Sequence, residues 1–383
     1  MSYLDTAGSD PSMSYLSLLA LGALDAAGYS VIAPVVPAIA DETGAGPGVM
    51  GALVATFAIG MALGFVLGGQ GVQRRHASFV LGASIVLMAV GSLGFVLGDG
   101  HLAAYFAARL VMGIGSGGLW IGVTFATLER FRGQEYERLT GVLAAYSVGG
   151  IAGAGLGAVG GIRGPFLLYF GLTLAAGGAV RLLGKPHQRA VFRSDRTALR
   201  TPAFFLSCAG ILLVALALGT IEGPLPLHFS TLLSQREISA LYVGIAVLVG
   251  TSAALTGRFP PRPALAVATV LVVAGIGVAG LGDSVPVWLV GGAIAGLGFG
   301  IGESGSLGIL LETIGTERMV LAMVVWSQLW AVGYLAGPAA GGGVAEAFGF
   351  GAIGLVPLAA ALLVAAAFAA APRRPSLSPP GVL

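Results

Sequence analysis

Four ionisable side chains stand where the sequence is otherwise apolar for long stretches: Asp25 in "LDAAGYS", Arg109 in "YFAARLVMGIG", Glu222 in "GTIEGPLPL" and Glu303 in "GFGIGESGS". A charge at the centre of a bilayer costs about 2.5–3.5 kcal/mol on insertion scales, so each of these residues is expected to have a partner or a use. Carboxyls in that setting can take up and release protons, and an arginine can hold a carboxylate or an anionic ligand. Tyr29, Trp120, Tyr146, Trp326, Trp330 and Tyr334 could wall a pocket for an amphipathic solute; Trp326 and Trp330 are four apart and share a helical face. Bundle packing or lipid contact is the equally open reading of these aromatics.

Other chemistries find no support. The only cysteine, Cys208, excludes an intramolecular disulfide and a cysteine-built metal cage. Gly113, Gly115 and Gly118 spell Gly-x-Gly-x-x-Gly, but a dinucleotide site needs a strand before the glycines and a soluble helix after them. There is no Ser-His-Asp set, no phosphate loop and no basic cluster beside an aromatic face. The chain is therefore read as neither an enzyme, nor an ATP-driven pump, nor a nucleic-acid binder, and no cofactor or metal is expected.

The elements that carry the four groups follow from composition. The 383 residues are 56% hydrophobic and only 9% charged, with a mean hydropathy of +0.93. A soluble domain carries about 25% charged residues, so this chain has too few to cover a water-facing surface and must be solvated by lipid. Sixty-four glycines fit helices that approach closely in a membrane. Twelve apolar segments are long enough to span: residues 14–40, 48–70, 77–98, 102–128, 138–161, 165–183, 203–228, 239–257, 264–282, 285–311, 319–343 and 351–371. The first is too long for a cleaved signal peptide, and its leader carries Asp5 and Asp10 but no basic residue.

Charge placement supports this map. With both ends inside, the inner connections hold Arg74, Arg75, Arg130, Arg132, Arg138, Arg181, Lys185, Arg189, Arg193, Arg196, Arg200, Arg258, Arg262, Arg318, Arg373 and Arg374, sixteen of the 19 basic residues. Arg163 and Arg236 fall outside, and Arg109 lies within a segment. This asymmetry places both termini in the cytoplasm of a multi-pass protein of the cell (inner) membrane.

The polar stretch 184–202 splits the chain into a six-helix bundle over 1–183 and another over 203–371, followed by a disordered cytoplasmic tail over 372–383. The two halves look related. Gly113, Gly115, Gly117 and Glu129 match Gly296, Gly298, Gly300 and Glu312 at an offset of 183; Gly149, Gly153 and Gly157 match Gly333, Gly337 and Gly341 at 184. Parallel six-helix repeats imply a two-bundle transporter with its path between the halves.

Over essentially its whole length the chain resembles the major facilitator superfamily, and within it the twelve-helix drug:proton antiporters. "RLVMGIG" is similar to the fourth-helix motif Arg-x-x-Gln-Gly-x-Gly of that group: Arg109, Gly113 and Gly115 match, and Met112 replaces the glutamine. "LDAAGYSVIAPVVPAIA", with Pro34 and Pro37, is similar to its first helix. "GYLAGPAAGG", with Gly333, Gly337, Pro338 and Gly341, matches the antiporter motif core. It lies in the eleventh segment, however, and the fifth holds a weaker copy with Ala154 at the proline position. In the second loop, "GGQGVQRRHAS" has Gln73 where the family has aspartate; Arg74 matches, and Glu129 is its alternative partner.

The resemblance implies an all-α fold of two pseudo-symmetric bundles, with segments 1, 4, 7 and 10 lining a central cavity. These are the segments that carry Asp25, Arg109, Glu222 and Glu303. Arg109 is expected to pair with Asp25 and set its proton affinity. Glu303 is expected to meet substrate or proton, or to be satisfied by Ser304 or Ser306. Glu222 is expected at a helix break near the outer end, with His228 interfacial. The implied function is a proton-coupled secondary transporter, probed as an exporter of small amphipathic compounds, with the proton gradient in place of a cofactor and a monomer as its form. A proton-coupled importer or facilitator of a metabolite, and a non-transporting receptor or scaffold of the same fold, are the alternatives.

Overall fold

The computed structural model describes residues 11–74, 77–131, 134–183, 198–314 and 319–371. Arg75, Arg132, Lys185, Arg189, Arg193, Arg196, Arg318, Arg373 and Arg374, most of the polar connection 184–202 and the tail 372–383 lie outside the described residues.

The described chain is built of α1 (Pro11–Ser30), α2 (Val36–Thr43), α3 (Pro47–Arg74), α4 (Ala77–Leu97), α5 (Leu102–Arg130), α6 (Glu135–Leu156), α7 (Arg163–Leu182), α8 (Pro202–Glu222), α9 (Leu225–Phe229), α10 (Gln235–Thr256), α11 (Pro261–Leu281), α12 (Val285–Thr313), α13 (Met319–Phe348) and α14 (Leu355–Ala370). Among the described residues, ten stretches are long and apolar enough to cross a membrane by length and composition, with α2 continuing α1 and α9 continuing α8. The two other long helices join them in the bundle: α7, bounded by Arg163 and Arg181, packs on α4 and α1, and α13 packs on α8 and α3.

Prolines explain both breaks. Pro34 has no N–H to give the Ser30 carbonyl, so the α1 ladder ends there, and a short 3-10 turn precedes α2. The second break has the same origin: α8 stops at Glu222, and the Gly223-Pro224 pair precedes α9.

The repeated glycines have a packing reason. A Cβ on Gly149 or Gly153 would lie 2.0 or 2.3 Å from the carbonyls of Ala23 or Ala27, seating α6 against α1; one on Gly333 or Gly337 would lie 2.5 or 1.9 Å from those of Leu212 or Leu216, seating α13 against α8. Likewise Gly113 and Gly117 seat α5 against α3, and Gly296 and Gly300 seat α12 against α10. Each glycine brings two backbones together where lipid supplies no hydrophobic drive for helices to associate.

The helices from α1 to α7 and those from α8 to α14 pack mainly among themselves, and two seams join the halves: α3 with α13, and α6 with α10. Both close on the far face, opposite the start of α1 and the end of α14. In the first, a Cβ on Gly51 would lie 2.1 Å from the Pro338 carbonyl, and the Gly48 amide donates to Glu346 Oε2 at 2.9 Å. In the second, Ser239 donates to the Ala154 carbonyl, and Gln235 exchanges bonds of 2.8 and 3.0 Å with the Gly161 backbone.

Candidate functional site

Between the two seams lies a cavity of about 130 Å³. Three carboxyls line it: Asp25 from α1, Glu222 from the end of α8, and Glu303 from α12. Among its lining residues there is no lysine, arginine or histidine. Tyr29, Trp120, Tyr146, Trp326 and Trp330 form much of the wall, joined by Tyr242, which sequence reasoning missed. Arg109 and Tyr334 are fully buried and stand outside this lining.

Each carboxyl has a different setting. Asp25 is 3% exposed; its Oδ2 accepts from the Tyr146 hydroxyl, and its Oδ1 is buried without a hydrogen-bond partner. A buried acceptor left without a donor costs about 1–3 kcal/mol, more for a charged group, so this oxygen is where a proton or a ligand N–H gains most. Glu222 Oε2 accepts from the Tyr334 hydroxyl at 2.5 Å. Glu303 makes no hydrogen bond to any described residue. The expectation that Ser304 or Ser306 satisfies it is corrected: Ser304 donates to the Ala253 carbonyl at 3.2 Å and Ser306 to that of Ser207 at 2.8 Å. Serines inside helices find main-chain acceptors close by, which leaves the carboxyl bare to the cavity.

The expected Arg109–Asp25 pair is also corrected. Arg109 donates from Nη1 to the Gly28 carbonyl and from Nη2 to the Tyr29 carbonyl, each at 3.2 Å, and its guanidinium carbon lies 4.1 Å from the centre of the Phe57 ring. The reason is that α1 ends at Ser30. The last carbonyls of a helix lack intrahelical partners and carry the negative end of its dipole, so a cation settles there. Arg109 is the cap of α1, and the Phe57 ring under its guanidinium also meets Tyr334 of the second half edge-on at 6.3 Å.

The aromatic residues are bound into the same structure. Trp330 and Tyr334 stack at 5.0 Å, and Tyr29 stands edge-on to both at 6.0 Å. Trp120 stands edge-on to Tyr146 at 5.2 Å and donates to Ser327 at 3.1 Å; Trp326 donates to Ser306 at 2.9 Å. Gly113 and Gly115 lie on α5 against α3 and α4, and Gly333, Gly337, Pro338 and Gly341 lie on α13 against α8 and its continuation, so these motif glycines pack helices and do not line the cavity.

Two other placements differ from expectation. Arg74 is exposed at the end of α3 and forms no ion pair with Glu129, which lies beside Arg130. His228 is buried among protein side chains: Nε2 lies 2.8 Å from the Gly282 carbonyl and its ring stacks on Phe350 at 4.7 Å.

The sequence profile of the Major Facilitator Superfamily matches residues 18–254, more than half of the chain. No curated protein sequence matches it. Among solved structures, the chain is similar to a bacterial homologue of the human lysosomal transporter Spinster in an inward-facing, unoccupied conformation, with 14% identity, a TM-score of 0.71 and 95% and 96% of the two chains covered. It is similar to a variant of the nucleoside transporter NupG, with 13% identity, a TM-score of 0.71 and 93% and 99% covered. It is also similar to the human organic anion transporter MFSD10, with 15% identity, a TM-score of 0.66 and 93% and 100% covered. At these identities the likeness shows the fold.

Proposed function

Since the chain belongs to the major facilitator superfamily, we propose that it is a proton-coupled secondary transporter that exports small amphipathic compounds, cationic or neutral, by alternating access. One observation carries the reading: a cavity between the halves is lined by three carboxyls and many aromatic rings, with no cationic side chain on its wall. Carboxyls in a low-dielectric space exchange protons and attract cations, and aromatic faces hold the apolar body and the charge of such ligands. An anionic substrate would meet no countercharge on this wall. Asp25 with Tyr146 serves as the proton carrier, and Glu303 and Glu222 as the groups that meet proton or substrate.

The likeness of "RLVMGIG" to the drug:proton antiporter motif supports export, and the arginine-rich connections support a cell-membrane protein with both ends in the cytoplasm. The two bundles, 1–183 and 203–371, rock about the cavity, and the closed far-face seams support reading this conformation as one that faces the cytoplasm. The protein acts on its own, as a monomer.

The test is a substrate screen on proteoliposomes with an imposed pH gradient and a pH-sensitive dye inside. Solute movement that dissipates the gradient is expected. Movement that ignores the gradient would make the protein a facilitator, and no movement of any cationic or neutral amphiphile would overturn the reading.

A further inference from the structure

A second pocket lies at the face opposite the two seams, where α1 starts. It is an open cleft of about 640 Å³ among the ends of α1, α5 and α6, roomy enough for a small polar group. Tyr15 and Leu16 come from α1, Arg130 ends α5 with Phe131 after it, and Gln134 and Arg138 stand at the start of α6. Two arginines thus line the cleft, and among the described residues no carboxylate does. Glu129 lies beside Arg130, and Glu137 is exposed on the first turn of α6, but neither is part of the wall.

Both guanidinium groups are set in place by their neighbours. Arg130 donates from Nη2 to the Leu183 carbonyl at 2.7 Å. Arg138 donates from Nε and Nη2 to Gln134 Oε1 at 3.1 and 3.0 Å, one helical turn away. Its guanidinium carbon lies 4.5 Å from the centre of the Tyr15 ring and 5.3 Å from that of Phe131, and the two rings meet edge-on at 5.5 Å. The Tyr15 hydroxyl in turn donates to the Arg138 carbonyl at 3.2 Å. A Cβ on Gly141 would lie 1.8 Å from that hydroxyl, so glycine there makes room for the ring. Among the described residues Arg138 forms no ion pair, so its charge is fixed in position and not neutralised there.

The rim beside Tyr15 is of the opposite character. Leu16 is 58% exposed and Met13, on the same side of α1, is 46% exposed. An occupant therefore meets cations at one end and bare hydrocarbon at the other. Guanidinium forks match the oxygens of a phosphate, and basic pockets between helices at the membrane surface take lipid headgroups. We infer that this cleft binds a phosphate group through Arg130 and Arg138, and that the apolar edge at Met13 and Leu16 makes an anionic phospholipid its occupant in preference to a free phosphate ester. The phosphate sits between the two arginines, and an acyl chain lies along α1. The site is separate from the cavity between the halves and does not depend on what that cavity carries.

The test is a calorimetric titration of the full chain in a neutral detergent with dioctanoyl phosphatidylglycerol, dioctanoyl phosphatidylcholine and glycerol phosphate. Phosphatidylglycerol should bind at a single saturable site, about tenfold tighter than the choline lipid, whose own cation is brought beside two arginines. Arg138→Met keeps an apolar stem against Tyr15 and Phe131 and should weaken phosphatidylglycerol about tenfold, the worth of one hydrogen bond to a charged group. Gln134→Glu changes an exposed residue, offers the Arg138 fork a carboxylate and should weaken binding in the same direction. It decides the matter if Arg138→Met fails to accumulate. Arg258→Met removes an exposed arginine of the same face, in the turn between α10 and α11, and should leave binding as it was. Glycerol phosphate that binds as tightly as the lipid, and is weakened by the same variants, keeps the phosphate site and overturns the lipid as its occupant. Equal binding of the two lipids, or equal weakening by Arg258→Met, overturns the site.

Discussion

Arg109 is bonded to the main-chain carbonyl of Tyr29 at 3.2 Å, and not to the carboxyl of Asp25 one turn earlier on the same helix. The buried cation therefore serves the broken end of α1, and Asp25 is left with a tyrosine as its partner. The difference has measurable consequences.

A lysine cannot span the two carbonyls that the guanidinium fork reaches. Arg109→Lys should lose at least one of these bonds and destabilise the protein by about 1.5–3 kcal/mol, seen as a lower melting temperature in detergent. With no shared partner, its effect should add to that of Asp25→Asn within about 0.5 kcal/mol. A large coupling between the two would restore the direct pair.

Asp25 and Tyr146 should instead behave as a unit. Tyr146→Phe and Asp25→Asn should each reduce proton-coupled flux in proteoliposomes, and the double variant should be no slower than Asp25→Asn alone. Independent losses that multiply would show that the hydroxyl serves something other than this carboxyl.

Glu303 makes no bond that the fold depends on. Glu303→Gln should leave the amount and melting temperature of the protein unchanged while weakening the binding of a cationic substrate from the liposome screen about tenfold, the worth of one charge-assisted contact. Unaltered binding would return Glu303 to a passive place in the wall.

The glycine seams separate close contact from mere composition. A Cβ on Gly337 would lie 1.9 Å from the Leu216 carbonyl, whereas one on Gly343 meets nothing within 4 Å. Gly337→Ala should cost about 1–3 kcal/mol of stability through overpacking. Gly343→Ala should be neutral or gain about 0.5–1 kcal/mol from the better helix former. Equal melting temperatures for the two would mean that the α8–α13 contact can spread freely.

The orientation inferred from arginine placement can be checked with reporters. One fused after Leu383 should be active only on the cytoplasmic side, and one inserted in the turn between Val159 and Arg163 only on the opposite side. A reversal of either would overturn the map.

Much of this architecture was legible because lipid imposes simple rules. Apolar runs marked the long helices, and the paired glycines at offsets of 183 and 184 marked the tight helix contacts within each half, since only glycine lets backbones meet so closely. The Gly223-Pro224 pair marked the second break, whereas the first, at Pro34, lay inside a segment read as one span over 14–40. The intramembrane charges were easy to find because each is costly in that setting. Their partners were not. A sequence shows that Arg109 and Asp25 lie on neighbouring helices, but not that the end of α1 offers Arg109 two carbonyls nearer than the carboxylate. Nor does it show that Tyr334 on α13 packs on Tyr29 and Phe57 of the other half, or that Tyr242 lines the cavity, because those facts depend on how the helices meet. His228 carried no periodic signal, since the five-residue α9 is too short to have one.

The two seams that shut the far face are unlike in substance. The α3–α13 side is mainly glycine pressed against backbone, with one hydrogen bond from the Gly48 amide to Glu346, whereas the α6–α10 side is held by the hydroxyl of Ser239, the amide of Gln235 and Arg236 reaching the Ala158 carbonyl at 3.4 Å. Water can take over each polar contact at a net cost of only about 0.5–1.5 kcal/mol, but it cannot refill dispersion lost between touching backbones. The molecule should consequently open like a door and not like a pair of jaws, with α3 and α13 as the hinge post. The first water to reach the cavity from the far face should then arrive along α6 and α10.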